Sequence, residues 1–441
     1  MSNQNSIWVE TEERPCFPRL EGKRDCDVLI IGGGMAGLLC AYLLQRAGVD
    51  CVLLEAERIC GGITKNTTAK ITLQHGLCYD KMIRRFGCQA ARIYVQAQQD
   101  ALNEYRALCQ TIPCDYEEQA SYVYSCKDRR SVEREMEALQ ALGVSARFTL
   151  DLPLPFAVAG AVCVERQAQF HPLKFAYGIA KELPVYENSK VLKLDANTAK
   201  TAQGSVFFRK AIVATHFPFI NTHGMYVLKL YQHRSYVLAL DHAPRLDGMY
   251  VDADLKGLSF RSNGDKLLLG GGSHRTGKKG GGWRALESVA QRYYPGSEAV
   301  FRWATQDCMS LDGIPYIGQY AHYTPNWYVA TGFSKWGMSS SMVAAMRLRD
   351  QILGKQTQAD AVFSPMRSML RPQLAINTVE SVRGFLTPTV PRCPHLGCAL
   401  KYNAQEHSWD CPCHGSRFEE NGDLIDNPAT NGKSEISGRL P

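Results

Sequence analysis

The stretch Asp27-Val-Leu-Ile-Ile-Gly-Gly-Gly-Met-Ala-Gly-Leu-Leu-Cys-Ala-Tyr-Leu-Leu44, followed by Cys51-Val-Leu-Leu-Glu55, decides the fold. Val28 to Ile31 is an apolar run of the kind that forms a parallel strand buried on both faces. Gly32, Gly34 and Gly37 follow as GxGxxG. Leu38, Leu39, Ala41, Tyr42 and Leu43 then predict a helix that Gly48 ends. A second apolar strand, Cys51 to Leu54, ends at Glu55, 21 residues after Gly34. Strand, glycine turn, helix, strand and acid in this order form a dinucleotide-binding unit. Gly32 permits the tight turn and Gly34 admits a pyrophosphate. Gly37 lets helix and strand touch, and Met35 and Ala36 open a helix whose free N–H groups face the phosphates. Glu55 is placed to accept hydrogen bonds from a ribose diol.

The chain around this unit has 441 residues, 45% apolar and 21% charged, a composition that excludes whole-chain disorder. Its length suggests about three domain-sized units at ~150 residues each. No apolar run approaches the ~18 residues of a membrane span, and Pro153 and Pro155 break the nearest, Leu150 to Val164. Residues 1–25 carry charges of both signs and do not read as a signal peptide. The net charge of +7 is scattered rather than clustered, which argues against nucleic acid as a partner. Of 16 cysteines, twelve lie scattered between Cys16 and Cys308, as reduced thiols of a cytoplasmic protein would, and four fall between Cys393 and Cys413.

Further along, Ala90 to Leu108 and Val132 to Leu142 read as helices, and Val185 to Arg209 as a hairpin-rich sheet. The strand Ala211 to Thr215 ends at His216. Tyr236 to Leu240, Lys266 to Leu269 and Trp327 to Gly332 read as strands. The segment Phe333 to Ser341 leads into a last helix, Met342 to Leu353, closed by Gly354. Residues 355–378, with weak periodicity, are the linker candidate.

Together, residues 7–353 resemble the flavin-dependent oxidoreductases of the D-amino-acid oxidase and glycine oxidase superfamily. The matches are the N-terminal unit, Gly61 to Lys70, the strand Ala211 to Thr215, and Leu311-Asp-Gly-Ile-Pro-Tyr-Ile-Gly318 with Thr331-Gly-Phe-Ser-Lys-Trp-Gly-Met338. The resemblance implies FAD, held by Gly32, Gly34, Met35, Ala36, Gly37, Glu55, Thr64, Thr67, Thr68, Thr215, Asp312, Gly332, Gly337 and Met338. It implies that the positive end of the helix near Met338 faces the pyrimidine side of the flavin. It also implies an α/β fold, a Rossmann-like FAD domain (about 25–80, 180–220 and 300–354) with an interleaved antiparallel-sheet substrate domain (about 81–179 and 221–299). Lys70 and Lys335 fall in segments that the resemblance brings near the flavin. His75, Arg234, Arg261 and His274 are candidates for touching substrate, the arginines because a guanidinium forks onto a carboxylate. For each the alternative is a structural or solvated role, and His171 before Pro172 reads equally as a helix cap.

The C-terminal cysteines sit in Cys393-Pro-His395-Leu-Gly-Cys398 and Cys411-Pro-Cys413-His414-Gly-Ser416-Arg-Phe418. Two cysteines and two histidines also suit structural zinc, which leaves the other two cysteines without a reason. The pair of boxes resembles a Rieske iron–sulfur protein. That resemblance implies a 2Fe–2S cluster with Cys393 and Cys411 on one iron and His395 and His414 on the other, a disulfide between Cys398 and Cys413, and a hydrogen bond from Ser416 to a cluster sulfur. Phe418 stands where the highest-potential members have tyrosine, which implies a lower potential. Residues 379–441 are short for such a small all-β domain. The base sheet is expected to be abbreviated or completed by the flavin part.

The expected activity is oxidation of a small substrate, an amine or amino acid, at FAD, with electrons passed singly to the cluster. The acceptor beyond it, a redox protein or a quinone, is unknown. Two other readings stand beside it: an oxygen-using oxidase with a structural or sensory Rieske module, and an electron shuttle with no organic substrate. A cytoplasmic location is expected.

Overall fold

The computed structural model describes residues 5–220, 223–254, 256–388 and 391–432. The first sheet has the strand order Tyr316–Gln319, Trp327–Thr331, Gly204–Val213, Gly22–Ile31, Cys51–Leu54, Val185–Tyr186, with the hairpin Lys193–Asp195/Thr198–Lys200 added beside Gly204–Val213. Its central pairings are parallel. The apolar run at its centre works as the sequence predicts. Val28 and Ile30 feed one core and Leu29 and Ile31 a second, on opposite faces of the strand. Helix Met35–Arg46 packs against helix Gly337–Ile352 on one face of this sheet.

The second sheet runs Glu298–Ser310, Leu230–Asp241, Lys266–Arg275, Ser259–Asn263, Met249–Asp252, Glu117–Ser125, Gly160–Gln169, Lys70–Ile71, with Ala146–Thr149 beside Gly160–Gln169. It is antiparallel apart from the pairing of Met249–Asp252 with Glu117–Ser125. Glu298–Ser310 and Lys70–Ile71 therefore pair into the substrate-side sheet, although the sequence suggested that both lie in the FAD part. Their pairing partners are remote in sequence, so periodicity could not reveal them. Tyr79–Cys109 is two helical runs that meet at a kink at Gly87, whose φ of 83° is not helical, and the predicted helix Ala90 to Leu108 lies in the second run.

Residues 355–378 are not a loose tether. They contain helix Ala359–Phe363, whose Phe363 is buried in the main core, and the start of helix Pro372–Leu386. Between them Arg367 grips Asp312 with two bonds, of 2.7 and 2.9 Å. The periodicity looked weak because helix Pro372–Leu386 buries only Asn377 and Gly384 fully. Its apolar residues face outward.

The C-terminal module is a separate antiparallel sheet of four short strands, Lys401–Asn403, Ser408–Asp410, Arg417–Glu419 and Leu424–Asp426. No strand of the flavin part joins it among the described residues. It is abbreviated, as expected, and it is held by docking instead. Arg234 and Tyr236 of strand Leu230–Asp241 both bond Glu406, the tyrosine hydroxyl donating at 2.9 Å. From the module's own side, Arg417 reaches Glu406 (2.8 Å), Asp410 (3.0 Å) and Asp426 (3.1 Å). Burial opposes ionisation of Glu406, but Arg234 and Arg417 overcome it and hold the carboxyl down to about 2.

Candidate active site and cluster site

One cavity of about 900 Å³ runs between the two large sheets. Its floor is the glycine turn. Gly32 has φ 110°, and a Cβ there would meet Ala214 O at 2.6 Å. A Cβ on Gly37 would sit 1.8 Å from Gly32 O, so that glycine is required by packing alone. Gly34 differs: the nearest atom to its Cβ position is Thr64 Oγ1 at 3.5 Å, which leaves the space over it open. Glu55 lines the same end and accepts from Gly33 N at 2.6 Å. Burial raises its carboxyl above the usual range. Met35 N donates to Thr64 Oγ1 (3.1 Å), tying the helix start to the loop that carries Thr67 and Thr68. Met35, Ala36, Thr64, Thr67, Thr68, Thr215, Asp312, Gly332, Gly337 and Met338 all line the cavity; Gly37 does not. Helix Gly337–Ile352 begins at its wall, and its positive end faces the cavity.

The other candidates sort differently. Lys70 lines the cavity and donates to Thr68 Oγ1 at 3.2 Å; burial and Arg261 lower its ammonium to about 7. Lys335 also lines it, with Nζ 2.5 Å from Ser273 Oγ, and burial lowers its ammonium while Asp307 opposes the shift. His75 reaches the wall, but Nδ1 engages Tyr94 (2.6 Å), Nε2 engages Ser339 (3.0 Å), and the ring stacks on Trp336. Burial drops it to about 3, so it is a neutral brace for the helix start rather than a free base. The proposed substrate roles of Arg234 and Arg261 do not survive, since neither lines the cavity. Arg234 anchors the C-terminal module, and Arg261 donates to the carbonyls of Thr68 (2.9 Å) and Ala69 (3.1 Å) while lying over the Trp8 ring. Two polar strand residues bury in this way because each meets a fixed partner. His274 lies outside the cavity lining, stacked on Tyr236. His171 caps helix Pro172–Ala180, accepting from Lys174 N at 3.2 Å. Asp312 spends its carboxylate on Arg367, so it secures the segment beyond the helix rather than offering a free acceptor.

Asp307 was not singled out from the sequence. It lines the cavity, and burial raises its carboxyl to about 6, with Lys335 and Arg234 opposing the shift. Nothing in the sequence marks it except an acid in the middle of a strand.

The cluster boxes form two similar loops. Cys393 N donates to Cys398 O and Cys411 N to Ser416 O, each at 2.8 Å. The His395 and His414 rings stand 5.1 Å apart. Burial lowers both, His395 to about 4 and His414 to about 3, so both are neutral, the form that ligates metal. His414 Nδ1 is buried with no hydrogen-bond partner in the protein, as a metal-ligating nitrogen would be. The sulfurs of Cys398, Cys411 and Cys413 lie within 4.8 Å of one another, and all four boxed cysteines are free thiols here. The buried Ser416 hydroxyl accepts from Ala429 N at 2.9 Å, and fully buried Phe418 packs among Cys393, Cys398, Cys411 and Cys413. Sulfur donors, two neutral imidazoles and an orphaned ring nitrogen fit a 2Fe–2S group of mixed cysteine and histidine ligation.

The two sites share a wall. Leu424, Ile425, Asp426, Asn427, Ala429 and Thr430 of the C-terminal module line the same cavity as Gly32 and Glu55. Fully buried Phe217 lies edge-on to both His395 (6.3 Å) and His414 (6.4 Å). Cavity-lining His216, at φ 64°, engages Gln232 Oε1 at 3.1 Å. The Gln232 amide then donates to His414 O (3.2 Å) and Asn427 O (2.8 Å). Gln306 donates to Gly415 O at 2.9 Å, and Arg275 donates to Pro412 O and Cys413 O. Sequence reading missed these anchors. The available signal was a period-two row of polar residues, Gln232, Arg234 and Tyr236, on one face of a strand.

Residues 27–351 match the family model described as DAO, FAD dependent oxidoreductase. The chain belongs to that family. Residues 366–436 match the Rieske [2Fe-2S] domain, so the protein is an FAD-dependent oxidoreductase carrying a C-terminal Rieske domain, with FAD and a 2Fe–2S cluster as its cofactors. A relative of both halves is the "Putative Rieske 2Fe-2S iron-sulfur protein YhfW" of Bacillus subtilis (strain 168), 33% identical with 96% of each chain covered. Gamma-glutamylputrescine oxidoreductase of Escherichia coli (strain K12) is 28% identical over 45% of this chain and 50% of its own. The fold is similar to that of glycine oxidase from Geobacillus kaustophilus, with a TM-score of 0.67 and 18% identity over 78% of this chain and all of that one. No helix among the described residues is long and apolar enough to cross a membrane.

Proposed function

We propose that this member of the family oxidises a small amine or amino acid in the cavity and passes the electrons singly through its Rieske domain to a separate acceptor, a redox protein or a quinone. The observation that carries this reading is the shared wall, with Phe217 against both box histidines and Gln232 bridging His216 to His414. Bound FAD supplies two-electron uptake and one-electron release, and the cluster carries one electron at a time.

Within this reading, Gly32, Gly34, Met35, Ala36, Glu55, Thr64, Thr67, Thr68, Thr215, Gly332, Gly337 and Met338 form the FAD cradle, Gly37 holds the helix against the turn, and the start of helix Gly337–Ile352 favours negative charge beside the cradle. Cys393, His395, Cys411 and His414 are the cluster ligands, and Cys398 and Cys413, free thiols in this structure, are the pair that oxidation would join as a disulfide. Residues 1–354 are the flavin part and 379–441 the Rieske part. Asp307 offers a carboxylate to a substrate ammonium, and Lys335 balances its charge. An amine substrate is supported by the Escherichia coli relative, whose name assigns it to gamma-glutamylputrescine, a molecule with a primary amine. The test is an anaerobic screen of amines and amino acids against the purified holoprotein. One or more should bleach the flavin without added reductant. A protein that no organic compound reduces, while a redox protein does, is an electron shuttle.

A further inference from the structure

The outward face of helix Pro372–Leu386 is apolar. Ile376, Val379, Val382, Phe385 and Leu386 are exposed along it, Leu386 to 76%. The stripe continues through Met366 and through Leu370, at 83%, on one side and Leu396 on the other. Leu396 adjoins His395, a residue of the first cluster box, and the Phe385 ring is 3.8 Å from where a Gly397 Cβ would stand. The inner face rests on the module: a Cβ at Gly384 would meet Cys413 Sγ at 2.4 Å. Soluble surfaces do not ordinarily leave a row of aliphatic side chains this exposed.

Its polar features are few. The Thr378 hydroxyl is bonded back to Leu374 O at 2.9 Å, within its own helix. Arg383 is exposed to 73%, its guanidinium 4.0 Å from the largely buried Glu380 carboxylate. The one acidic residue in 366–396 is Glu380, which is turned inward and paired with Lys278 at 2.5 Å. The face is thus a band of aliphatic and aromatic side chains with an exposed cation and no exposed carboxylate. We infer that it lies on an anionic phospholipid surface, the helix in the plane of the headgroups, with the edge of the cluster loop at Leu396 brought to that surface. This inference does not depend on the substrate proposal. An in-plane helix of this length gains its binding from buried apolar area together with attraction of cations to anionic lipid, and arginine extends its guanidinium back to the headgroups. A second copy fits less well. A two-fold interface would bring the same cationic face against itself with no acid to answer it.

The test uses full-length holoprotein floated with vesicles of phosphatidylglycerol or of phosphatidylcholine. The protein should float with the anionic vesicles, stay behind with the zwitterionic ones, and detach partly at high salt. The double variant Val382→Asp, Leu386→Asp should bind about tenfold more weakly or worse, and Arg383→Glu should also weaken binding. Each variant should keep the visible spectrum of flavin and cluster, which shows that it has folded. Light scattering without vesicles should show a monomer. Four results overturn the inference: no flotation with anionic vesicles; equal flotation with both lipids; flotation that the substitutions leave intact; or a dimer that the double variant splits, which would make the face a self-interface.

Discussion

Replacing Arg234 with methionine should loosen the Rieske domain from the flavin part without unfolding either. Arg234 is bonded to Glu406 across the junction, both side chains are under a tenth exposed, and Arg417 and Tyr236 hold the same carboxylate. Glu406 falls from an ordinary value of 4.5 to about 2. At ~1.36 kcal/mol per unit this is about 3 kcal/mol favouring the ionised form. Arg417 and Tyr236 keep their share, so the Arg234 coupling should be about 1–2 kcal/mol. Hydrogen exchange reads it as a local opening energy. Amides of Ser408–Asp410 and Arg417–Glu419 should exchange about 5–30-fold faster in the variant, while helix Met35–Arg46 is unchanged. A double-mutant cycle with Glu406→Gln should return the same coupling. The pH dependence follows from the depressed carboxyl. The contribution is fully present above about 4.5 and is lost as the pH falls through about 2, so the difference between wild type and variant should hold steady from pH 7 to 5. Unchanged exchange, or a cycle that closes within ~0.3 kcal/mol, would refute the reasoning.

Three further outcomes are expected. Gly34→Val should give a folded protein without FAD, since the protein leaves its Cβ free, whereas Gly37→Val should not fold, since its Cβ would collide with Gly32 O; yield and flavin content separate the two. Gln232→Leu should slow reduction of the cluster severalfold in rapid-mixing experiments but leave the rate of flavin bleaching by substrate alone, because it cuts the bridge from His216 to His414 and touches neither Lys70 nor Lys335. Phe418→Tyr adds a hydroxyl among the box cysteines, and a bond to a ligand sulfur worth ~1 kcal/mol between redox states would raise the cluster potential by about 40 mV in a redox titration.

The parts of this protein that were legible in its sequence are those fixed by local chemistry. The Val28–Ile31 run, the three glycines and Glu55 each state a backbone requirement within thirty residues, and the structure meets them. The cluster boxes were legible for the same reason, because ligand spacing is local. The docking of the two parts was not. Arg234 was a candidate substrate ligand because a guanidinium forks onto a carboxylate, and only the folded chain shows that its carboxylate is Glu406, 172 residues away. Asp312 and Arg367 form a similar pair, which turned an expected linker into an anchored segment. Helix Pro372–Leu386 was obscured by the opposite cause, an apolar stripe directed away from the protein core.

The central claim is that electrons taken from an organic substrate at FAD leave through the Rieske cluster. It is tested most directly by mixing the oxidised holoprotein anaerobically with a substrate found in the amine screen. Flavin absorbance and the paramagnetic signal of the reduced cluster are then followed in the same samples. The account expects the flavin to bleach first and the cluster signal to rise next, approaching one reduced cluster per chain. A flavin that bleaches fully while the cluster stays oxidised, and that is restored only by oxygen, would contradict it.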